Sequence, residues 1–211
     1  MARGHYIAGN HAPDGELKSE RRRGLHMLIH PPVSLINRFS LHAFNAAIYH
    51  GQVRSDVRRS VNYDAFFYPL DRLLGWNRMY SNAGFQQYQC VVPQANSKEA
   101  IRSVVREIAK SGTGSFLTVL KRCGDLASPG LLSFPMPGIS LALDFPQRAQ
   151  INRQLFDKLD ALVHDAGGRL YPAKDAHMSA AHFQRAYPAW EEVEGLRDPQ
   201  LMSRFWRRVT Q

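Results

Sequence analysis

The chain has 211 residues, of which 44% are hydrophobic and 10% aromatic, enough for one sizeable core and a piece of a second. No stretch approaches the ~20 apolar residues that cross a bilayer, and residues 1–15 are too polar for a secretory signal. The net charge of +9 suits an anionic partner. No zinc-finger spacing, aromatic RNA-binding box or recognition-helix motif accompanies that charge, so we do not expect nucleic acid to be the partner.

Cysteine and histidine are sparse and scattered. Cys90 and Cys123 lie far apart without a CxxC neighbour, which predicts free thiols and a reducing, cytoplasmic compartment. His42 and His50 have no acid or cysteine at ligand spacing, so we predict no metal site.

The first third of the chain is irregular. Residues 1–24 are polar and punctuated by glycine and proline, which predicts an extended arm. A helical pattern of apolar residues begins near Ser34 and runs to Ile48. Residues 62–71 and 76–80 are dense in aromatic side chains, which form either core or the lining of an apolar cleft; core is the commoner outcome.

Residues 85–93 alternate and predict a strand that carries Gln87 and Gln89 on one face. Two amides on one face form a hydrogen-bonding pair for hydroxyl groups, although the face can also simply be hydrated. After this strand we predict a helix capped by Asn96 with Glu99 as capping-box partner.

The remaining elements complete a β-α-β-β-α-β order over residues 85–172. They are a strand at 115–122 with Lys121 near its end, a buried strand at 139–145, a helix at 151–166 and a short strand at 169–171. This order is typical of the α+β class, with an antiparallel sheet covered by helices on one face. A short, mostly helical C-terminal segment follows, interrupted at Pro188 and Pro199.

Lys174 follows the last strand, in a turn fixed by Pro172. An ammonium group held in a defined place can stabilise negative charge that develops on a substrate or cofactor. Asp175 comes next, and a solvated lysine beside its counter-ion is the other interpretation of the same residues.

Several motifs together resemble the C-terminal half of FAD-dependent oxidoreductases of the vanillyl-alcohol oxidase type. The closest likeness is to the decaprenylphosphoryl-β-D-ribose oxidase group, and a more distant one is to sugar-lactone oxidases. The motifs are Phe66-Phe67-Tyr68-Pro69-Leu70-Asp71, Trp76-Asn77-Arg78, Gln87-Tyr88-Gln89-Cys90-Val91-Val92-Pro93, Ser133-Phe134-Pro135-Met136-Pro137-Gly138, Leu143-Asp144-Phe145-Pro146, and Gly167-Gly168-Arg169-Leu170-Tyr171 with Ala173-Lys174-Asp175.

The resemblance implies a division of the chain. Residues 1–168 correspond to the cap, or substrate, domain, and residues 169–211 to a segment that returns to the FAD-binding domain. That N-terminal domain, with its glycine-rich phosphate loop, is not in this sequence. A partner half in cis or in trans is therefore implied.

The resemblance also implies site residues. Tyr171 and Lys174 match positions against the flavin, with Lys174 the catalytic candidate. Gln87, Gln89, Lys121 and Ser140 match positions that line the substrate side. Ala142 stands where the group has a cysteine, so the substrate is not specified by the likeness.

The function implied is oxidation of a sugar or alcohol carbinol by hydride transfer to FAD, with no activity expected without the FAD-binding half. A phosphorylated or polyprenyl-linked sugar suits the basic charge. The alternative is a non-catalytic module that binds a phosphorylated or lipid-linked sugar.

Overall fold

The computed structural model describes residues 5–13, 24–68, 73–115, 118–175 and 177–211. The chain divides into two compact units, Met1–Gly84 and Phe85–Gln211. Parts of the predicted elements lie outside the described residues: positions 1–4 and 14–23 of the arm, 69–71 of the aromatic stretch, 116–117 of the predicted strand at 115–122, and 176 of the C-terminal segment.

The first unit has little regular structure. Residues 5–13 contain no helix or strand, as predicted for an arm. Strand β1 (Leu25–His26) pairs in parallel with β2 (Leu73–Leu74). Helix α1 spans Arg38–Gly51 and begins at Asn37, whose side chain accepts hydrogen bonds from the backbone of Phe39 and Ser40.

Two shorter pieces carry the aromatic residues of the first unit. They are α2 (Tyr63–Phe67) and a 3₁₀ turn at Trp76–Tyr80. Tyr80 is fully buried, whereas Tyr63, Phe67 and Tyr68 are more than half exposed. The aromatic stretch is therefore exposed at Tyr63, Phe67 and Tyr68 and buried at Tyr80.

The second unit is built on a four-stranded antiparallel sheet. Its strands are β3 (Phe85–Pro93), β4 (Thr118–Cys123), β5 (Gly138–Pro146) and β6 (Arg169–Leu170), in the order β4-β5-β3-β6. Strand β3 lies between β5 and β6 and pairs with both. The predicted α+β class with an antiparallel sheet is confirmed.

Two amphipathic helices pack on one face of this sheet. Helix α3 spans Ser97–Ser111 and α4 spans Ala149–Asp165. Apolar residues of both helices join alternate residues of the strands in one buried cluster: Tyr88, Cys90, Val92, Leu141, Leu143, Phe145, Val104, Ile108, Leu155, Phe156, Leu159 and Val163. The alternation predicted for β3 is confirmed, since Tyr88, Cys90 and Val92 are its buried side chains.

The C-terminal segment adds three short helices to this core. They are α5 (Ala180–Ala186), α6 (Trp190–Leu196) and α7 (Arg204–Thr210), and α5 and α6 end before Pro188 and Pro199 as predicted. Phe183, Tyr187 and Val209 are buried in the same cluster as the sheet residues. The predicted boundary at residue 168, which concerns attachment to an FAD-binding domain, stays a prediction.

The predicted capping box at Asn96 is wrong. Asn96 has helical backbone angles and its side chain caps nothing. Its amide instead donates to the carbonyl of Ala166, 3.2 Å away, just after α4. A helical Asn96 cannot turn its side chain back to the first turn of α3, so it ties the start of one helix to the end of the other.

Candidate functional site

The face of the sheet opposite α3 and α4 carries polar side chains, and we call it the polar face. Gln87 of β3 lies directly opposite Asp144 of β5, and Gln89 lies opposite Ala142. Because directly opposed residues of antiparallel strands point to the same face, these side chains form one surface. The predicted placement of Gln87 and Gln89 on one face is confirmed.

Ser140 and Lys121 lie farther along the polar face. Lys121 of β4 is opposite Ser140 of β5, and Ser140 is opposite Val91 of β3. Ser140 is four residues from Asp144 on the same strand, a separation of roughly 13 Å. Ser140 is 3% exposed, whereas Lys121 is exposed.

Tyr171 and Lys174 border the polar face beyond β6. The backbone N–H of Tyr171 donates to the carbonyl of Gln89 at 2.9 Å, which continues the pairing of β6 with β3. A 3₁₀ turn, Pro172–Lys174, follows and is closed by the N–H of Lys174 donating to Tyr171 at 3.0 Å. The ring of Tyr171 packs on Phe134 with centroids 4.7 Å apart.

Four of the predicted site residues meet at one small cavity of about 10 Å³. The cavity is lined by Gln87, Gln89, Tyr171 and Lys174. Its other lining residues are Tyr88, Leu170, Asp175 and His177. Its volume is close to the smallest that holds one water molecule. The structure thus gathers Gln87, Gln89, Tyr171 and Lys174, and leaves Ser140 and Lys121 along the strands away from them.

Asp144 also lies on this surface; it belongs to the motif Leu143-Asp144-Phe145-Pro146 but was not among the predicted site residues. Its side chain is 2% exposed and lies beside the amide of Gln87, within the electrostatic reach of Lys174. Burial raises the pKa of Asp144, while the hydrogen bond from Gln87 and the charge of Lys174 act in the opposite direction. The sequence could have identified Asp144 as a candidate, since an acidic residue inside an otherwise buried strand is unusual.

Asp175 does not serve as the counter-ion of Lys174. Its side chain turns inward and is 2% exposed. One oxygen accepts the backbone N–H groups of His177 and Met178 at 3.0 and 2.8 Å, and the other accepts a hydrogen bond from Arg208 of α7. The interpretation of Lys174 and Asp175 as a solvated ion pair is therefore wrong for Asp175.

His177 extends this arrangement into what we call the anchor network: Asp160, Asp175, His177 and Arg208. The Nε2 atom of His177 lies 3.2 Å from Asp160 of α4, and its Nδ1 atom lies 3.3 Å from Asp175. The ring also packs on Phe156, with centroids 4.9 Å apart. The anchor network joins the turn that bears Lys174 to two helices.

The charges of the anchor network affect its titrating members. Burial alone would lower the pKa of His177, but the hydrogen bond and charge of Asp160, with the charge of Asp175, outweigh it and the pKa is raised. Burial raises the pKa of Tyr88, and Asp160 adds to that effect. Burial likewise raises the pKa of the Cys90 thiol to about 12, so this cysteine is inert.

A larger concavity of about 360 Å³ lies between α3 and α4. Its lining includes Arg106, Glu107, Lys110, Lys158 and Asp165, charged residues of both signs on the outer helix surfaces. None of the predicted site residues lines it. We therefore place the candidate site on the polar face, not in this groove.

A guanidinium such as that of Arg78, in the motif Trp76-Asn77-Arg78, can bind a phosphate. In the first unit that guanidinium donates to the backbone carbonyls of Met27 and Leu28 at 2.9 and 2.8 Å. This end of Arg78 is therefore engaged in holding its own segment of chain.

The motifs along this sheet resemble those of the substrate-side part of vanillyl-alcohol-oxidase-type oxidoreductases. No protein-family model matches the chain. Over 163 residues, 76% of the chain, it is 39% identical to decaprenylphosphoryl-β-D-ribose oxidase of Mycolicibacterium smegmatis. Over 128 residues it is 34% identical to a protein of Streptomyces coelicolor described as uncharacterised and encoded in the mprA 5′ region.

These identities confirm the resemblance: the chain is related to the C-terminal part of decaprenylphosphoryl-β-D-ribose oxidases. The chain spans about a third, 34%, of the length of each of these two relatives. Among the described residues, no helix is both long and apolar enough to cross a membrane.

Proposed function

We propose that this chain supplies the substrate-side part of an FAD-dependent oxidoreductase that oxidises a sugar or alcohol carbinol. The observation that carries the proposal is that Lys174, Gln87 and Gln89 line one small cavity at the edge of the sheet. The proposal is also supported by a relative, since the chain is 39% identical to a ribose oxidase over 163 residues.

The residues present suit a flavin at this edge of the sheet. Lys174 is exposed, and within the described residues its ammonium makes no hydrogen bond. Tyr171 is half-buried against Phe134 and presents a fixed ring beside it. Tyr171 and Lys174 would hold the cofactor, which when bound would supply the acceptor of the hydride.

Lys174 has two tasks in this proposal. Its fixed positive charge stabilises the negative charge that develops as the carbinol is oxidised. The same ammonium can also donate a hydrogen bond to the oxygen of that carbinol and orient it. The short turn Pro172–Lys174 fixes the backbone of Lys174 at the edge of the polar face, so the ammonium is within reach of a ligand bound there.

The other residues of the polar face bind the rest of the substrate. Gln87 and Gln89 offer amide donors and acceptors to sugar hydroxyls. Lys121, exposed near the end of β4, is the proposed contact for a phosphate of a polyprenyl-linked substrate. Ser140 lies between them and is buried, so it shapes the floor of the site.

The proposal requires an FAD-binding half from another part of the protein or another chain. The experiment is to co-express this chain with the FAD-binding half of the Mycolicibacterium relative and record the absorbance of the purified pair. We expect a bound flavin spectrum that is bleached by a sugar substrate. Absence of flavin from every pair would contradict the proposed function.

Lys174→Ala should leave the pair assembled and slow the bleaching by roughly 10²–10³-fold, the cost of losing one preorganised stabiliser. Lys98→Ala, an exposed lysine on α3 away from the polar face, is the matched control and should not change the rate. Equal rates for the two variants would remove Lys174 from the mechanism.

A non-catalytic module that binds a phosphorylated or lipid-linked sugar is the alternative function. The polar face favours it as well, because Gln87, Gln89 and Lys121 need no flavin to bind hydroxyls and phosphate. Binding of a sugar phosphate by the chain alone, with no flavin retained in any pair, would favour this alternative.

A further inference from the structure

Asp144 has one oxygen that nothing in the described structure satisfies. The residue is 2% exposed and lies within β5 between the buried residues Leu143 and Phe145. Its Oδ2 atom is buried and has no hydrogen-bond partner among the described residues. Among the described residues, the side chain of Gln87 hydrogen-bonds to this carboxyl group, and the charge of Lys174 also favours its ionised form.

A buried carboxylate that serves the fold uses both of its oxygens, because each unpaired acceptor loses its hydration without compensation. Asp175 illustrates this in the same unit. One of its oxygens accepts two backbone N–H groups, and the other accepts a hydrogen bond from Arg208. The half-satisfied Asp144 is therefore poorly explained as a structural group.

The position of Asp144 would allow its Oδ2 atom to accept a hydrogen bond from a ligand. It lies opposite Gln87 on the polar face, next to the residues that form the candidate site. An anionic ligand group would be repelled there, whereas a hydroxyl group can donate to the carboxylate and accept from Gln87 or Lys174 at once.

We infer that Asp144 is a specificity-determining residue, whose Oδ2 atom accepts a hydrogen bond from a hydroxyl group of the sugar ligand. The inference rests on the proposed function for the class of ligand, a hydroxyl-bearing sugar. A deoxy analogue leaves the oxygen buried and unpaired, so the site discriminates against it. The raised pKa of Asp144 agrees with a carboxyl group whose charge lacks full compensation without ligand.

The first arm of the test needs no ligand and measures thermal unfolding of the whole chain. Asp144→Asn removes a poorly compensated charge and keeps the shape, so we expect a midpoint equal to that of the unaltered chain or a few degrees higher. Asp160→Asn is the matched control, because that buried acid is fully engaged with His177. We expect its midpoint to fall by several degrees.

The second arm measures binding of D-ribose 5-phosphate and of its single-deoxy analogues by calorimetry. In the unaltered chain, loss of one hydroxyl should weaken binding by about tenfold or more, as expected for a hydrogen bond to a charged group. In Asp144→Asn the same hydroxyl should matter markedly less, while the other hydroxyls keep their effects. This pattern, with a midpoint that does not fall, supports the inference.

Three results would overturn it. They are a fall in midpoint for Asp144→Asn similar to that of Asp160→Asn, hydroxyl discrimination that Asp144→Asn leaves unchanged, and a lack of binding of every probe to the unaltered chain. Failure of flavin retention is a separate result. If it occurs while Asp144 still governs the discrimination, the oxidoreductase proposal falls and the inference stands.

Discussion

Lys174 and Asp175 are adjacent in sequence and opposite in charge, but the side chain of Lys174 is exposed and that of Asp175 is buried. Asp175 is drawn inward because it can accept two backbone N–H groups and the guanidinium of Arg208. Charge-assisted bonds in a buried place are stronger than an exposed ion pair with Lys174 would be. The consequence is that Asp175 does not neutralise Lys174, whose side chain stays exposed.

The anchor network predicts a pH dependence of stability. Since the pKa of His177 is raised above its unfolded value of about 6.5, its contribution is fully present below that value and is lost as pH rises through the folded pKa. We expect the free energy of unfolding to fall with rising pH over this window, and to fall less in His177→Gln. Denaturant unfolding at a series of pH values measures it.

His164 is a control for this prediction, because its effect on the pH dependence of stability should have the opposite sign. Burial, with the charges of His182 and Arg185, lowers the pKa of His164. Its contribution is therefore present above the unfolded value and lost as pH falls through the folded pKa. His164→Gln should make the stability less sensitive to acid. If both variants changed the pH profile in the same direction, the assignment of His177 to the anchor network would be wrong.

At the scale of elements, the alternation of β3 was sufficient to predict the faces of Gln87 and Gln89, because side-chain direction in a strand is a local property. The role of Asp144 was not predictable in this way. Its contact with Gln87 depends on the register between β3 and β5, which pairs residues 57 positions apart. The predicted capping box at Asn96 was wrong for a similar reason: the side chain of Asn96 donates to the carbonyl of Ala166, which is distant in sequence, and does not cap its own helix.

The turn between α4 and β6 allows a sharp test of packing. A Cβ atom at Gly168 would lie 2.5 Å from the carbonyl oxygen of Val91, and closer than 3 Å to the side chains of Val92 and Val163. Gly168→Ala should therefore separate β6 from β3 and cost about 1–3 kcal/mol of unfolding free energy. Chemical denaturation measures this.

Gly195 in α6 is the matched control, since a Cβ there meets nothing within 4 Å. Gly195→Ala should be neutral or should stabilise by up to about 1 kcal/mol through helix propensity. Similar losses for Gly168→Ala and Gly195→Ala would contradict the close approach at Gly168.

At the scale of the whole molecule, the apolar residues are divided unequally. The large buried cluster lies entirely within residues 85–211, whereas in the first unit Phe39 and Ile48 of α1 are 85% and 57% exposed. Few buried contacts mean easy local opening. The second unit should therefore resist proteolysis better than the first.

Limited trypsin digestion followed by mass spectrometry tests this difference. We expect the earliest cuts at Arg54, Arg58 and Arg59, which lie on an exposed segment without helix or strand. Cuts at Arg185 and Arg208, on helices packed against the core, should come much later. Early loss of residues 169–211 would contradict this view of the second unit.

The bond from Arg208 to Asp175 spans 33 positions of the chain. Arg208 is synthesised after the turn at Lys174, so this bond can form only once α7 is present. Docking of Arg208 adds the last of several contacts that hold Asp175, after its bonds to the backbone of His177 and Met178. We therefore expect a chain truncated before α7 to hold the turn at Lys174 less firmly than the full chain does.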